Sequence, residues 1–367
     1  MNQTIKFLVV EDDDGQWETY QDTATDLSTA ELSIVLERQT NAGNALSTLL
    51  SNNYDGAIVD LNLSRAEPDS AAGNDVLKTI TKNHRFPVLV VSGNLANLDP
   101  SIQESGFLKT FTRDTPNDDI FQCLLKIYST GITRILGGRG QIERLLGDIF
   151  WRHLANNFDA WNFGNSDSER TLLRYTVAHL AEYLDLPNGE DKFYHSPEFY
   201  IKPPIRQFIA TGDIIEKDQI RYIVLSPACD VAVRNVVDDK PVINAERVLL
   251  APLIPVSRAK FLEKKIISEA HNSEARRKIL DEIIKGQREK FVFLPPYEEI
   301  YASVVDLQNV YTWDLDQFFT AQRIATISGQ FLKDIQSRFA SYYGRQGQPD
   351  LNKAQLLSDL ASKLSPT

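Results

Sequence analysis

The sequence predicts an α/β fold. Residues 1–130 read as a doubly wound, five-stranded parallel sheet, 131–190 as a helical linker segment, and 191–367 as an α+β domain with a small β-barrel or curled sheet. Three observations carry this. Lys6 to Val10, Ala57 to Val59 and Pro87 to Val91 are short, nearly continuous apolar runs, the texture of parallel strands buried on both faces. Stretches of helical spacing lie between them, and strands alternating with helices build a parallel sheet. From about Phe193 the texture turns to short strands and turns, where Pro197, Pro203 and Pro204 exclude long helices.

The elements follow in order. Gln16 to Ser28 reads as the first helix and Leu32 to Leu36 as an alternating second strand. Ala42, Ala45, Leu46, Leu49 and Leu50 keep helical spacing. The third strand ends at Asp60, a helix covers Val76 to Lys82, and the fourth and fifth strands end at Ser92 and Lys109. Ile120, Leu124, Ile127 and Tyr128 stripe a further helix. Ile135-Leu136-Gly137-Gly138-Arg139-Gly140 reads as a linker; without a following Gly-Lys-Ser or Gly-Lys-Thr it is no phosphate loop. Ile142 to Trp161 carries an apolar and aromatic stripe that reads as core or as a partner surface. Ser166-x-x-Glu169 offers a capping box for a helix to about Leu184. Arg221 to Leu225, Arg247 to Leu253, Phe291 to Leu294 and Ala302 to Leu307 read as strands. Lys260 to Glu289 reads as a charged helix and Asp316 to Tyr343 as the closing one.

In open α/β sheets chemistry collects at the carboxyl ends of strands. Here those ends carry Glu11-Asp12-Asp13-Asp14, Asp60, Ser92 and Lys109. A carboxylate cluster is a site for Mg²⁺, a hard cation that takes oxygen ligands. Asp60 can then act as a nucleophile toward phosphorus, with the metal offsetting charge on the transferring group. Ser92 can hydrogen-bond a phosphoryl oxygen, and Lys109 can meet another as a point charge.

Phe7-Leu8-Val9-Val10-Glu11-Asp12-Asp13, Asp60-Leu61-Asn62-Leu63, Val90-Val91-Ser92-Gly93 and Phe107-Leu108-Lys109 resemble, in order and spacing, the receiver domain of two-component response regulators. The resemblance implies Glu11 and Asp12 as the acid pair and Asp60 as phosphoacceptor. It implies Asn62 as the position whose backbone carbonyl ligates the metal, Ser92 as the switch hydroxyl and Lys109 as the family's lysine. It further implies the sheet order 2-1-3-4-5, Mg²⁺ as cofactor and a sensor histidine kinase as partner. Several positions depart from the family. Thr110 follows the lysine where proline is usual, and Gly106 stands where the switch aromatic is expected. The gap from Ser92 to Lys109 is short, which predicts a stunted helix, and Ser64 to Ala72 reads as an insertion.

The formal net charge is -11. Residues 1–130 hold 9 Lys and Arg against 19 Asp and Glu, or -10, which leaves -1 for the remainder. Such a balance disfavours nonspecific binding to nucleic acid. No apolar run approaches the roughly 18 residues of a membrane span. The opening Met1-Asn2-Gln3-Thr4-Ile5-Lys6 lacks the regions of a signal peptide, and two cysteines make no disulfide framework, so a cytoplasmic protein is expected.

Beyond residue 190 the second candidate for chemistry is Ser226-Pro227-Ala228-Cys229-Asp230, with His195 as a conceivable base. A structural Cys229 is the preferred reading, and a metal site at Cys229, Asp230 and His195 lacks paired ligand spacing. Gly212-Asp213-Ile214, Val224-Leu225-Ser226 and Leu250-Ala251-Pro252-Leu253 resemble segments of small barrel ribonuclease toxins, whose catalytic residues have no counterpart placed here. Two functions are weighed. One is a phosphoacceptor acting as a phosphate sink or buffer. The other is a phosphorylation-controlled, nuclease-like effector. A DNA-binding regulator is disfavoured for want of a basic recognition helix. The whole architecture resembles the effector-less regulator of Detocs-type antiphage two-component systems, which implies competition with a second, effector-bearing receiver for one kinase.

Overall fold

In the computed structural model, residues 3–63, 72–156, 168–185, 193–237, 240–258, 273–345 and 350–364 are described. The Ser64 to Ala72 insertion, except Ala72, lies outside them. So do Phe158, Trp161, Ser166 and the first part of the charged stretch from Lys260. The chain forms two compact units, Met1–Pro187 and Asn188–Thr367.

In the first unit, β1 (Gln3–Val10), α1 (Asp14–Leu27), β2 (Leu32–Gln39), α2 (Ala42–Ser51), β3 (Gly56–Val59), α3 (Gly73–Asn83), β4 (Val88–Ser92) and β5 (Leu108–Thr112) precede α4 (Asn117–Ser129). The five strands are parallel in the order β2-β1-β3-β4-β5. Successive side chains of a strand point to opposite faces, and both faces here are apolar. Ile5, Phe7 and Val9 pack with Tyr20 and Ala24 of α1 and with Phe121 and Leu124 of α4. Leu8 and Val10 pack with Leu49 of α2 and Val76, Leu77 and Ile80 of α3 on the other side. This two-sided burial makes the strands read as continuous apolar runs.

Two departures from the sequence reading matter. The fifth strand does not end at Lys109. Leu108–Thr112 pairs residue for residue with Val88–Ser92, so Lys109 lies opposite Leu89 and Thr112 opposite Ser92. The alternating Thr110-Phe111-Thr112, rich in strand-forming residues, carries the strand onward. Between β4 and β5 stands only a 3₁₀ turn, Leu95–Asn97.

The glycine-rich linker also differs. It is a tight corner between α5 (Ile132–Leu136) and α6 (Gln141–Asp148), fixed to the sheet side of its unit. Asn53 donates to the Gly138 carbonyl at 3.3 Å, and Arg139 lies 3.4 Å from Asp55. A Cβ at Gly137 would overlap the Thr133 carbonyl oxygen and one at Gly140 the Ile135 carbonyl oxygen, so close approach of the backbone favours glycine at both. After α6 a π-helical turn, Ile149–Leu154, leads toward α7 (Ser168–Asp185).

The second unit holds β6 (Tyr200–Ile201), β7 (Asp213–Lys217), β8 (Ile220–Val224), α8 (Ala228–Val231), the hairpin β9 (Asn235–Val237) and β10 (Lys240–Val242), and β11 (Arg247–Pro255). Then come α9 (Ser273–Ile284), β12 (Phe291–Leu294), β13 (Ser303–Asp306), β14 (Tyr311–Asp314), α10 (Leu315–Phe319), β15 (Gln322–Ile327), α11 (Gly329–Gly344) and α12 (Lys353–Leu364). Its large sheet runs β12-β13-β11-β8-β7-β15-β6 with β14 beside β11, an antiparallel sheet curled into a half-barrel. β11 makes the curl, pairing first with β14, then β8, then β13 along its length. The expected closing helix from Asp316 is interrupted by β15, where Ile324, Thr326 and Ile327 favour a strand.

Candidate functional site

The site lies where β1, β3, β4 and β5 end. The chain leaves β1 in opposite directions to reach β2 and β3, and such a switch point opens a crevice at the carboxyl edge. Glu11 and Asp12 follow β1, Asp60 follows β3, and oxygens of all three lie within 4.8 Å of one another. Glu11 and Asp60 are buried. Asp13 caps α1 by accepting the Gln16 N–H at 2.8 Å, and its own N–H donates to Glu11 Oε1 at 3.0 Å. Arg38, at the end of β2, donates to the carbonyls of Glu11 and Asp12 at 2.9 and 3.0 Å. Backbone carbonyls, the Asp13 cap and an Arg38–Asp14 pair at 2.8 Å therefore hold the acidic turn, and Glu11 and Asp12 are the two of its carboxylates that meet Asp60.

Lys109 does not join this cluster. It is exposed and lies three residues before the strand edge. The cation present is Arg113, immediately after β5. Its Nη2 reaches past Gly93 to Asp60 Oδ2 and lies 3.1 and 3.4 Å from the two oxygens of Glu11. A strand three residues longer than Phe107-Leu108-Lys109 suggested is what moves the cation four positions along. The signal was the run Thr110-Phe111-Thr112 before the turn residues Asp114-Thr115-Pro116. Ser92 ends β4, fully buried, with its Oγ 3.5 Å from the Asn94 N–H.

Asn62 donates its N–H to Asp60 Oδ1 at 3.2 Å. Its side-chain oxygen accepts from Asn97 at 3.1 Å, the Asn97 carbonyl accepts from Asn74 at 2.9 Å, and Asn74 accepts the Asp99 N–H at 3.0 Å. This amide chain ties the loop after β3 to the 3₁₀ turn after β4. No residue spacing announced it, because it joins three separate segments.

The donor set suits a small hard dication. Three carboxylates meet one guanidinium, a formal surplus of two negative charges in a largely buried place. Burial, with Asp60 and Asp12 nearby, pushes the Glu11 carboxyl up to about 7, against the pull of the Asp13 N–H and Arg113. All-oxygen ligands are what Mg²⁺ takes.

Several solved structures are similar to the first unit. Similar to the first unit is a response regulator receiver domain from Methylobacillus flagellatus, 18% identical, TM-score 0.26, covering 34% of this chain and 99% of that one. Another is the response regulator protein TrrA from Thermotoga maritima in complex with Mg²⁺-BeF, 17% identical, TM-score 0.27, covering 34% and 98%. A third is the receiver domain of a sensor histidine kinase from Pseudomonas aeruginosa with a magnesium ion coordinated in its active-site cleft, 12% identical, TM-score 0.27, covering 34% and 97%. No protein-family model matches the chain, and no curated protein does. With five parallel strands in the order β2-β1-β3-β4-β5 and helices packed on both faces, the first unit has the receiver fold.

The positions to which the resemblance assigns the switch are built differently from its pattern. Thr110 now stands three residues before the cation, and Glu104 accepts its N–H at 2.8 Å. The only aromatic in β5, Phe111, is half-buried against the core between the sheet, α1 and α4. An apolar cleft of about 400 Å³, lined by Ile80, Phe86, Phe107, Leu108, Ile132 and Leu136 among others, opens at the other end of β4 and β5, away from the carboxylates.

In the second unit Cys229 is exposed on the one-turn α8, its Sγ 3.6 Å from Asp230 Oδ1. His195 instead begins the 3₁₀ turn Ser196–Phe199, its N–H donating to Glu198 at 2.7 Å. The Gly-Asp-Ile segment has a structural part. Gly212 has φ +83°, and a Cβ there would meet Leu332 at 2.6 Å. Asp213 is fully buried; it accepts the Ala210 N–H at 2.8 Å and the Thr326 hydroxyl, with Arg323 at 3.6 Å. Ser226 accepts the Leu249 N–H at 2.7 Å through its hydroxyl and the Thr211 hydroxyl at 2.7 Å through its carbonyl. These groups fasten β7, β8, β11 and β15 together.

Proposed function

We propose that the receiver unit accepts a phosphoryl group on Asp60 from a histidine kinase. The observation that carries this reading is Asp60 at the end of the central strand, within 4.8 Å of Glu11 and Asp12 and in contact with Arg113. A carboxylate oxygen of Asp60 attacks phosphorus in line with the bond to the donor's histidine nitrogen. That P–N bond breaks, and its electron pair returns to the imidazole. Mg²⁺, held by Glu11, Asp12, Asp60 and the Asn62 carbonyl, would supply positive charge for the phosphoryl oxygens. Ser92 donates its hydroxyl to one of them, and Arg113 exchanges Asp60 for another. A guanidinium can serve there as lysine does, with a fork of donors suited to phosphoryl oxygens. Intact mass spectrometry after incubation with acetyl phosphate and Mg²⁺ tests this. The phosphoryl adduct is expected on the wild type and not on Asp60→Asn; an undiminished adduct on the variant overturns the assignment.

Its proposed use is as a phosphate sink. The connection without an α-helix, Thr110 tied to Glu104, and Phe111 packed against the α1–α4 face leave no aromatic at the switch position to report the state of Ser92. A receiver that accepts phosphate and transmits little would drain a kinase shared with a second, effector-bearing receiver, as in the antiphage architecture this chain resembles. In cells carrying all three proteins, Asp60→Ala is expected to switch the effector on without its trigger. A silent loss of the response instead makes this chain the output.

A further inference from the structure

α7 has two different apolar faces. On one, His179 and Tyr183 pack against the π-helical turn, Tyr183 Oη lying 2.9 Å from His153 Nε2 and the two histidine rings 4.9 Å apart. The other face is exposed, with no partner among the described residues. Leu173, Val177 and Leu184 are 64%, 58% and 65% exposed, and half-buried Leu180 lies between them on the same stripe.

Steps of four, three and four residues are the spacing of a coiled-coil seam. They place Leu173 and Leu180 at d positions and Val177 and Leu184 at a positions. In parallel coils a β-branched residue at a, here Val177, with leucine at d favours two strands; Arg170 and Leu184 occupy the a positions on either side. The flanking charges fit the same register. Glu169 falls at g and Arg174 at e, five residues on, and a g residue of one helix meets the following e residue of its partner. Both are exposed. Two symmetry-related Glu–Arg pairs would therefore flank the seam, each joining opposite charges.

We propose that α7 is a dimerisation helix whose occupant is α7 of a second copy of this chain, parallel and in register. The inference does not depend on the chemistry of Asp60. A seam of two heptads is short, so the dimer dissociates on dilution.

Sedimentation equilibrium of the full chain tests it. The mass should approach twice 41.5 kDa at high concentration and fall toward 41.5 kDa on dilution. Val177→Asp should leave a monomer throughout. Glu169→Arg and Arg174→Glu should each weaken association about two- to fivefold, and the double reversal should restore it. These variants change exposed side chains only, and circular dichroism verifies that folding is kept. Val177→Cys in a Cys229→Ser background, oxidised, should give a disulfide-linked dimer. A mass of 41.5 kDa at every concentration would mean that the stripe is covered within one chain, which overturns the proposal. A dimer indifferent to Val177→Asp and to both reversals overturns it equally.

Discussion

Arg113 is one positive charge shared between two buried carboxylates, and its removal leaves both without a counter-ion. Glu11 and Asp60 each keep only 2% of their side-chain surface exposed, whereas Arg113 is 36% exposed. Arg113→Ala is therefore expected to cost about 1–3 kcal/mol of receiver stability without Mg²⁺ and to slow phosphoryl transfer at least tenfold. Lys109→Ala should change neither, and urea denaturation with phosphotransfer kinetics on both variants separates them. The raised Glu11 carboxyl gives a second expectation. Its folded value, about 7, exceeds the ordinary 4.5, so the metal-free fold prefers the protonated acid. Stability from that preference is full below about 4.5 and is lost as pH rises through about 7. Mg²⁺ needs the carboxylate and must displace the proton. Its thermal stabilisation of the receiver should thus be larger at about pH 8 than at about pH 5.5. Equal shifts in calorimetry would show that Glu11 is not a ligand.

Elements decide which residues the site receives, and here register outweighed motif. Asp60, Glu11, Asp12 and Ser92 were legible because each directly follows or ends an apolar run whose burial on two faces leaves little doubt about its ends. Lys109 looked right because Phe107-Leu108-Lys109 reproduces the receiver pattern, but a strand's end is fixed by pairing with its neighbour, and sequence does not display pairing. The amide chain through Asn62, Asn97 and Asn74 was invisible for the same reason. In the half-barrel the curl was legible from short strands and prolines. β15 was not, because Gln322 to Ile327 sits between two helical stretches. The packing of α3 against β3 yields its own test. A Cβ at Gly73 would overlap the Asp60 carbonyl oxygen, so Gly73→Ala must push the helix or the acceptor aside. A loss of about 1–3 kcal/mol is expected in denaturant titration, with phosphorylation reduced alongside. An unchanged midpoint would contradict that packing.

At the scale of the molecule, an acidic receiver unit and a nearly neutral half-barrel unit each have their own core. No helix among the described residues is long and apolar enough to cross a membrane. Two separate cores predict two unfolding transitions in calorimetry, of which Mg²⁺ should raise only the receiver's. A single transition that moves as a whole with Mg²⁺ would show that the units unfold as one. The most direct measurement is chemical. An acyl phosphate is reduced by borohydride to an alcohol, which converts a phosphorylated aspartate to homoserine. After treatment with acetyl phosphate and Mg²⁺, tandem mass spectrometry should find homoserine at position 60. Homoserine at another aspartate, or at none, would contradict the assignment of Asp60 as the acceptor.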